Sequence, residues 1–284
     1  MSILLEGKPI AEKIRTALGA EVAALKAKHG RGPKLVAVQI GENESSAVYV
    51  KAQKKAAESA GIGYELKVLP GDVSQSEAES AIAHLNKDTS TSAVILQMPV
   101  PKGIDPKALA GMIAPGKDAE GVHPENLGRI LLGQYRIAPC TAMAVMELLE
   151  STGVKLYGKE AVVVGHSDIV GKPLALMLLN KFATTTVCHI ATDERGALAE
   201  HVKRAEVLIV AVGKPGVVKG EWIKDGAIVI DVGINKAGGK IVGDVEFDAA
   251  AKKASYITPV PGGVGPLTTT ILMRNTVRQF KVNL

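Results

Sequence analysis

The stretch that most constrains the fold covers residues 161–173 and reads AVVVGHSDIVGKP. Four apolar residues ending at Gly165 predict a buried parallel strand, and Pro173 fits the first turn of the helix that the following LALMLL predicts. Gly165 lets the chain turn without a Cβ, Ser167 supplies a hydroxyl, and the first helical amides present partial positive charge. These features together predict a strand, turn and helix that bind the pyrophosphate of a dinucleotide.

The glycine pattern of this turn departs from the usual dinucleotide fingerprint, and by itself it also fits an ordinary glycine-rich turn. Serine stands where the second glycine is expected, and one extra residue precedes Gly171. Three more β-rich segments cover residues 184–189, 207–213 and 227–233, and helical segments cover 174–181 and 196–204. This alternation predicts a Rossmann-type, doubly wound parallel sheet.

The length and composition of the chain favour a two-domain α/β enzyme. Its 284 residues, 46% of them hydrophobic, suffice for two domains with ample cores. The apolar runs are shorter than the ~18 residues of a membrane span, and the N-terminus lacks signal-peptide features, so we expect a cytoplasmic protein without membrane contact. The net charge of +5 is spread along the chain, which favours anionic small molecules over nucleic acid. We expect Cys140 and Cys188 to be buried thiols, and we expect no metal site.

The first 110 residues predict a separate βαβ domain. Predicted helices cover residues 7–30, 45–61 and 74–88, and predicted strands cover 35–41, 64–70 and 92–101. Each helix shows apolar residues at helical spacing, and each strand is a short apolar or alternating run that ends at glycine or proline. A further helix over 138–153 is predicted to join this domain to the dinucleotide domain.

Polar side chains stand where the predicted strands of the first domain end. Gln97 interrupts an apolar strand at its carboxyl end, where ligands gather in open α/β sheets, and Tyr49 lies in the first turns of a helix. The loop over 117–126 is acidic and contains Glu120. Each also has a plain structural interpretation, as a strand cap, a packing residue and a solvated loop. The Pro/Gly-rich loop over 258–270 favours close approach of the backbone to a ligand.

Seven segments spread over the whole chain resemble the methylenetetrahydrofolate dehydrogenase/cyclohydrolase family of bifunctional folate enzymes. They are Tyr49-Val50, ILQMPVP (95–101), KDAEG (117–121), GHSDIVGKP (165–173), VGKPG (212–216), GAIVIDVGIN (226–235) and ITPVPGGVGPLT (257–268). The resemblance implies a folate-binding catalytic domain over 1–139, completed by a C-terminal helix over 266–284. It also implies a Rossmann-type NAD(P) domain over 140–265, a folate cleft between the two domains and a homodimer.

Two reactions on tetrahydrofolate derivatives, with or without a polyglutamate tail, follow from the same resemblance. The first passes a hydride from the methylene carbon of 5,10-methylenetetrahydrofolate to the nicotinamide. The second adds water to the resulting methenyl cation and gives 10-formyltetrahydrofolate. The resemblance assigns substrate binding to Tyr49, Gln97, Glu120, Pro261, Gly262 and Gly263.

The folate-site pattern of the family is Tyr-Val-x-x-Lys on a helix, Gln in the strand motif and Lys-Asp-x-Asp-Gly in a loop. Tyr49 and Gln97 match, but Gln53 stands at the lysine position and Glu120 at that of the second aspartate. The family lysine is the acid/base group of hydrolysis, because a desolvated amine titrates near neutrality, whereas an amide does not exchange protons in this way. We therefore expect a dehydrogenase with an impaired cyclohydrolase step, and these four residues as its catalytic positions.

Three alternatives to this interpretation stay open. The chain is a bifunctional enzyme with both activities intact, a folate- or nucleotide-binding protein without turnover, or a different two-domain dehydrogenase, for example one acting on amino acids. The last would need a charged carboxylate clamp, which we do not find in the first domain.

The choice of cofactor is read from the segment TTTVCHIAT. The resemblance assigns cofactor binding to Gly165, His166, Ser167, Ile190, Gly213 and Ile234. A common NAD site carries Asp or Glu ~20 residues beyond its first glycine, and this segment contains no acid. We therefore expect NADP, with NAD as the alternative, although Ile190 offers nothing to a phosphate. His166, Lys172 and Arg195 are candidate partners of the 2′-phosphate.

Overall fold

The protein forms two compact units, each built from two pieces of the chain. The computed structural model describes residues 2–284, apart from the side chains of residues 44 and 45. The three-stranded unit contains Glu12–Cys140 and Thr269–Leu284, and the six-stranded unit contains Met1–Ala11 and Thr141–Thr268. The sequence-based domain bounds stay a prediction, and they differ from these units mainly at residues 1–11.

All three strands of the three-stranded unit are parallel, in the order β3-β2-β4. Its elements are α1 (Gly7–His29), β2 (Lys34–Ile40), α2 (Glu44–Ser59), β3 (Gly63–Leu69), α3 (Gln75–Lys87), β4 (Ala93–Leu96), α4 (Pro106–Met112), α5 (Pro124–Leu131) and α11 (Val264–Val282), of which α1 and α11 begin in the other unit. The central strand β2 is almost wholly buried, as a strand covered by helices on both faces must be. The predicted βαβ arrangement is confirmed.

Helix α3 shows how a local sequence signal defines an element of this unit. The hydroxyl of Ser74 accepts a bond from the Glu77 amide at 3.3 Å, and the Glu77 carboxylate accepts one from the Ser74 amide at 2.9 Å. This capping box satisfies two of the amides that a helix start leaves unpaired. The apolar face of the helix then packs on the sheet through Ala78, Ile82 and Leu85.

The six-stranded unit is an open parallel sheet with the strand order β1-β11-β8-β7-β5-β6. Its elements are β1 (Ile3–Leu4), α6 (Cys140–Ser151), β5 (Glu160–Val164), α7 (Gly171–Leu179), β6 (Thr184–Cys188), α8 (Ile190–Glu194), α9 (Leu198–Arg204), β7 (Val207–Val210), β8 (Ile228–Asp231), β9 (Asn235–Ala237), β10 (Lys240–Val242), α10 (Phe247–Ala250) and β11 (Tyr256–Ile257). A 3₁₀ turn at Gly220–Trp222 precedes β8. The predicted Rossmann-type sheet is confirmed.

Four short strands, β9, β10, β11 and β1, were not predicted from the sequence. Strand β1 is the most N-terminal of them. It has only two residues, and it pairs in parallel with β11, which places residues 1–11 in the six-stranded unit. Both cysteines are free and buried, as predicted. Within residues 2–284, no helix combines the length and the apolar character of a membrane span.

The end of α11 is anchored in the three-stranded unit by Phe280. Phe280 is 1% exposed, and its ring meets the ring of His29 edge-on, with 6.5 Å between the two centroids. The guanidinium carbon of Arg31 lies 5.2 Å from the centroid of the Phe280 ring. Burial of a phenyl ring and the cation–π contact both favour the docked helix.

We expect Phe280→Ala to lower the free energy of unfolding by ~3–5 kcal/mol, because truncation of a buried ring loses its transfer free energy and leaves a cavity. The matched control is Val282→Ala on the same helix, where the side chain is 52% exposed. Urea denaturation followed by circular dichroism measures both variants. An equal loss in the two variants would show that Phe280 is not the anchor.

Candidate functional site

Two glutamine amides and a tyrosine hydroxyl form a neutral network in the three-stranded unit. Gln53 on α2 donates to Gln97 Oε1 at 3.3 Å, and Gln97, directly after β4, donates back to Gln53 Oε1 at 3.1 Å. The Tyr64 hydroxyl on β3 donates to the same Gln53 oxygen at 3.1 Å. Both amides are at most 5% exposed. Because each amide fixes the plane of the other, residue 53 is held by uncharged groups.

The loop over 117–121 continues the sheet beside β4. The Val94 amide donates to Lys117 O at 2.7 Å, and the Ala119 amide donates to Val94 O at 3.1 Å. The Lys117 ammonium donates to Leu85 O at 2.7 Å and to Asp88 O at 2.6 Å, at the end of α3, where helix carbonyls lack backbone partners. Residues 117–121 therefore do not form a solvated face.

Asp118 fixes the turn that follows this pairing. Its buried carboxylate accepts bonds from the Gly121 amide at 2.8 Å, the His123 amide at 2.9 Å and the Asn126 side chain at 2.9 Å. Two buried polar residues of α11 hold the same segment from the other side. Gln279 donates to Asp118 O at 2.9 Å, and Asn275 donates to Ala119 O at 3.0 Å.

Glu120 lies within this hydrogen-bonded segment, and the pKa of its carboxyl is raised. Burial, and secondly the negative charge of Asp118, raise the pKa of Glu120 to about 7. Burial, followed by the charges of Glu120 and Cys140, raises the pKa of Tyr49. Tyr49 is nevertheless 49% exposed. The structure thus couples Tyr49 to Glu120 electrostatically, and Gln53 to Gln97 by hydrogen bonds.

The predicted phosphate turn lies in the six-stranded unit, at the carboxyl end of β5. Gly165 has a φ of +126°, and a Cβ there would overlap the carbonyl oxygen of Ala211. A Cβ at Gly171 would overlap the carbonyl of Gly165, so the turn requires both glycines. Ser167 accepts a bond from the Val170 amide at 3.2 Å, and Val170 gives α7 no side-chain cap. At the start of α7, the Lys172 amide donates to Ser167 O at 3.1 Å and Pro173 has no N–H, which leaves the Gly171 amide for a phosphate.

Two imidazoles stand beside this turn. His166 and His189 have ring centroids 5.3 Å apart with an interplanar angle of 45°. His189 was not among the predicted cofactor residues, although it directly follows β6. Lys172 already forms an ion pair with Asp168 at 2.6 Å. Ile190 is 71% exposed and offers only an apolar surface.

The remaining predicted positions lie in the loops that follow β7, β8 and β11. Gly213 has a φ of +67°, and Ile234 is exposed. Pro261 follows a cis peptide bond, and Gly262 has a φ of +116°. A Cβ at Gly263 would lie 2.7 Å from Cβ of Thr258 and 2.9 Å from Pro259 O, so this glycine is required by packing within its own loop.

Metal ligands are not gathered anywhere in the described part of the chain, where no three His, Cys, Asp or Glu side chains form a possible site.

Comparison with known proteins identifies relatives along the entire chain. Residues 5–120 match the model of the tetrahydrofolate dehydrogenase/cyclohydrolase catalytic domain, and residues 139–284 match that of the NAD(P)-binding domain. The chain is 49% identical to the bifunctional protein FolD of Geotalea uraniireducens over 99% of each chain. The crystal structure of the bifunctional FolD enzyme from Campylobacter jejuni has a TM-score of 0.96 at 42% identity, with complete coverage of both chains. The Trypanosoma brucei enzyme, in complex with NADP and an inhibitor, has a TM-score of 0.93 at 41% identity and covers 99% of this chain and 98% of its own.

We expect Glu120→Gln to stabilise the protein above neutral pH. The folded-state pKa of Glu120 lies at about 7, above its ordinary value of 4.5, so the folded state holds an extra proton between these values. The free energy of unfolding therefore falls as the pH rises through this window, and removal of the carboxyl recovers up to ~3 kcal/mol at pH 8 and almost nothing at pH 4.5.

Urea denaturation at these two pH values measures the effect, with Glu58→Gln on the exposed face of α2 as the control. A gain that does not change with pH would mean that Glu120 titrates normally.

Proposed function

This chain belongs to the tetrahydrofolate dehydrogenase/cyclohydrolase family, and we propose that it oxidises 5,10-methylenetetrahydrofolate to the methenyl cation with NADP. The observation that carries this proposal is the neutral network of Gln53, Gln97 and Tyr64. Oxidation of the methylene carbon requires positioning and an environment that tolerates a cation, and it requires no proton carrier at residue 53. Hydrolysis does require such a carrier.

On the folate side, we assign Tyr49, Gln97 and Glu120 to the pterin. The Gln97 amide is oriented by Gln53, and the Glu120 backbone is fixed on both sides, so both polar groups are preorganised. An ionised Glu120 accepts bonds from the amino and ring N–H groups of a pterin and attracts the cationic product. With a pKa at about 7, both forms of this carboxyl are populated near neutrality.

On the dinucleotide side, the residues fit the cofactor. Gly165 and Gly171 leave the backbone room that a Cβ would fill, and the uncapped start of α7 suits a pyrophosphate. We assign Ser167, Gly213 and Ile234 to the same site, and Ile190 to its rim. When bound, NADP supplies the hydride acceptor.

The preference for NADP rests on the imidazole pair. His166 and His189 stand together, the segment TTTVCHIAT contains no acid, and imidazole N–H groups donate to phosphate oxygens. Lys172 is a weaker candidate because its ammonium already contacts Asp168. We propose the pair as the 2′-phosphate ligands.

A homodimer and a cytoplasmic location remain predictions, and the family resemblance supports the dimer. Light scattering of the purified protein measures the oligomeric state. The alternative without turnover is tested by the absorbance of the reduced nicotinamide, since a binding protein produces none.

We expect a higher kcat/KM with NADP than with NAD. His166→Ala should lower the NADP value about tenfold and leave the NAD value within twofold, because one hydrogen bond to a charged phosphate is lost. Lys172→Ala is the control and should change both cofactors by a similar, small factor. Initial rates of nicotinamide reduction with saturating methylenetetrahydrofolate measure these values. Equal or better efficiency with NAD would contradict the assignment.

We expect the methenyl cation to accumulate as the product, with little enzymatic formation of 10-formyltetrahydrofolate. A general acid/base group typically contributes ~10²- to 10⁴-fold, and Gln53 provides none. Gln53→Lys should restore hydrolysis, since an ammonium there can donate to Gln97 Oε1 and the Tyr64 oxygen, and burial lowers its pKa. Gln53→Met is the matched control without a proton carrier.

Separate measurement of the methenyl and formyl products decides between the alternatives. Rapid formation of the formyl product by the unchanged chain would favour the bifunctional alternative, which agrees with the names of the relatives. Glu120 would then be the titratable group to test, by Glu120→Gln.

A further inference from the structure

Two buried carboxylates cross-link the loops of the six-stranded unit. Asp244, directly after the β9–β10 hairpin, is fully buried, and its Oδ2 accepts bonds from the Val212 amide at 2.7 Å and the Gly213 amide at 3.0 Å. Its Oδ1 accepts a bond from Asn235 Nδ2 at 2.8 Å. One side chain thus ties the loop after β7 to the loop after β8.

The second carboxylate belongs to Asp231, the last residue of β8. It accepts bonds from the Gly233 amide at 2.9 Å, the Asp244 amide at 3.0 Å and the Val245 amide at 2.8 Å. A Cβ at Gly233 would overlap the Asp244 carboxylate, and a Cβ at Gly243 would overlap that of Asp231. Asp244 therefore packs directly against Gly233, and Asp231 packs directly against Gly243.

The residue between these anchors is Ile234. Its predecessor Gly233 is held by Asp231, and its successor Asn235 is held by Asp244, whereas the Ile234 side chain is 62% exposed. A large aliphatic side chain is thus presented from a rigid support at the carboxyl end of β8, where open parallel sheets bind their ligands.

We propose that Asn235 and Asp244 are positioning residues for the dinucleotide, which set the places of Ile234 and of the Gly213 amide. This inference rests on the proposed function and extends it to residues that do not themselves contact the cofactor. Neither residue belongs to a strand of the six-stranded sheet, and Asn235 pairs with Val242 in the separate β9–β10 hairpin through its backbone.

The chemistry of Asp244 explains why a carboxylate stands there. It accepts three N–H donors on its two oxygens, and an asparagine cannot do so because its amide nitrogen is itself a donor. Burial, and to a smaller extent the charge of Asp244, raise the pKa of Asp231 to about 6. The hydrogen bonds from three backbone amides act in the opposite direction and lower it. Two negative charges are therefore held close together at an energetic cost, and donor bonds offset that cost.

The link is tested at Asn235, because this residue is partly exposed and lies outside the sheet core. Asn235→Ala should raise the Kd for NADPH about tenfold, the equivalent of ~1.4 kcal/mol, with kcat at saturating NADP within twofold. Lys236→Ala, at the next and exposed position of β9, is the matched control and should bind as the unchanged chain does. Fluorescence titration of the full chain with NADPH measures Kd, and thermal denaturation checks the fold.

Asn235→Asp supplies a readout that a purely structural role would not give. The new carboxylate faces Asp244 and repels it when both are ionised, whereas a shared proton restores the bond. Relative to the unchanged chain at the same pH, this variant should bind NADPH weakly at pH 8 and recover at pH 6.

The outcomes separate the inference from the proposed function. If the unchanged chain does not bind NADPH, the proposed function fails. If the unchanged chain binds NADPH and Asn235→Ala binds equally well, the positioning role is overturned while the function stands. If Asn235→Ala unfolds, the NADPH affinity of Asn235→Asp tests the inference instead. A ratio of its Kd to that of the unchanged chain that does not change with pH overturns the inference.

Discussion

A buried carboxylate that collects donors from otherwise unpaired loops is the interaction on which both candidate sites depend. A buried charge is costly unless hydrogen bonds compensate it, so each such acid must find several N–H groups. Asp118 finds three in the three-stranded unit, and Asp244 finds three in the six-stranded unit. The donors to Asp118 come from the turn after residue 120 and from α5, and the donors to Asp244 come from the loop after β7 and from the first residue of β9. The hydrogen bonds that each buried carboxylate needs thereby hold these segments in one conformation.

Glu120 contrasts with these saturated acids. The described residues give its carboxylate no hydrogen-bond donor, whereas the neighbouring Asp118 takes the Gly121 and His123 amides. Burial and the charge of Asp118 therefore act on Glu120 without compensation, and its pKa rises to about 7. A group that titrates near neutrality and retains free acceptor capacity is typical of a binding or catalytic position. The hydrogen bonds around residues 117–121 thus fix the position of Glu120, whose carboxyl is the titratable group of this loop.

The sequence predicted the elements whose signals are local. Apolar or β-branched runs predicted the three strands of one sheet and four of the six strands of the other, Ser74 and Glu77 marked the start of α3, and the glycines around 165 marked the phosphate turn. The supports of the sites were not predictable, because their contacts join distant parts of the chain: Asn275 donates to a carbonyl 156 residues away. Tyr64, Gln279 and Asp244 carry no motif of their own. Strand β1 was missed because two residues are too short for any periodicity.

Gln53 and Glu120 both belong to segments that meet the end of β4. The segment that pairs with Val94 leads to Glu120 at the carboxyl end of β4, where Gln97 holds Gln53. Burial and the charge of Asp118 raise the pKa of Glu120, and the amide of Gln53 brings no positive charge that could lower it. In the proposed function, an uncharged residue 53 tolerates the methenyl cation that oxidation creates, and it lacks the proton carrier that hydrolysis needs.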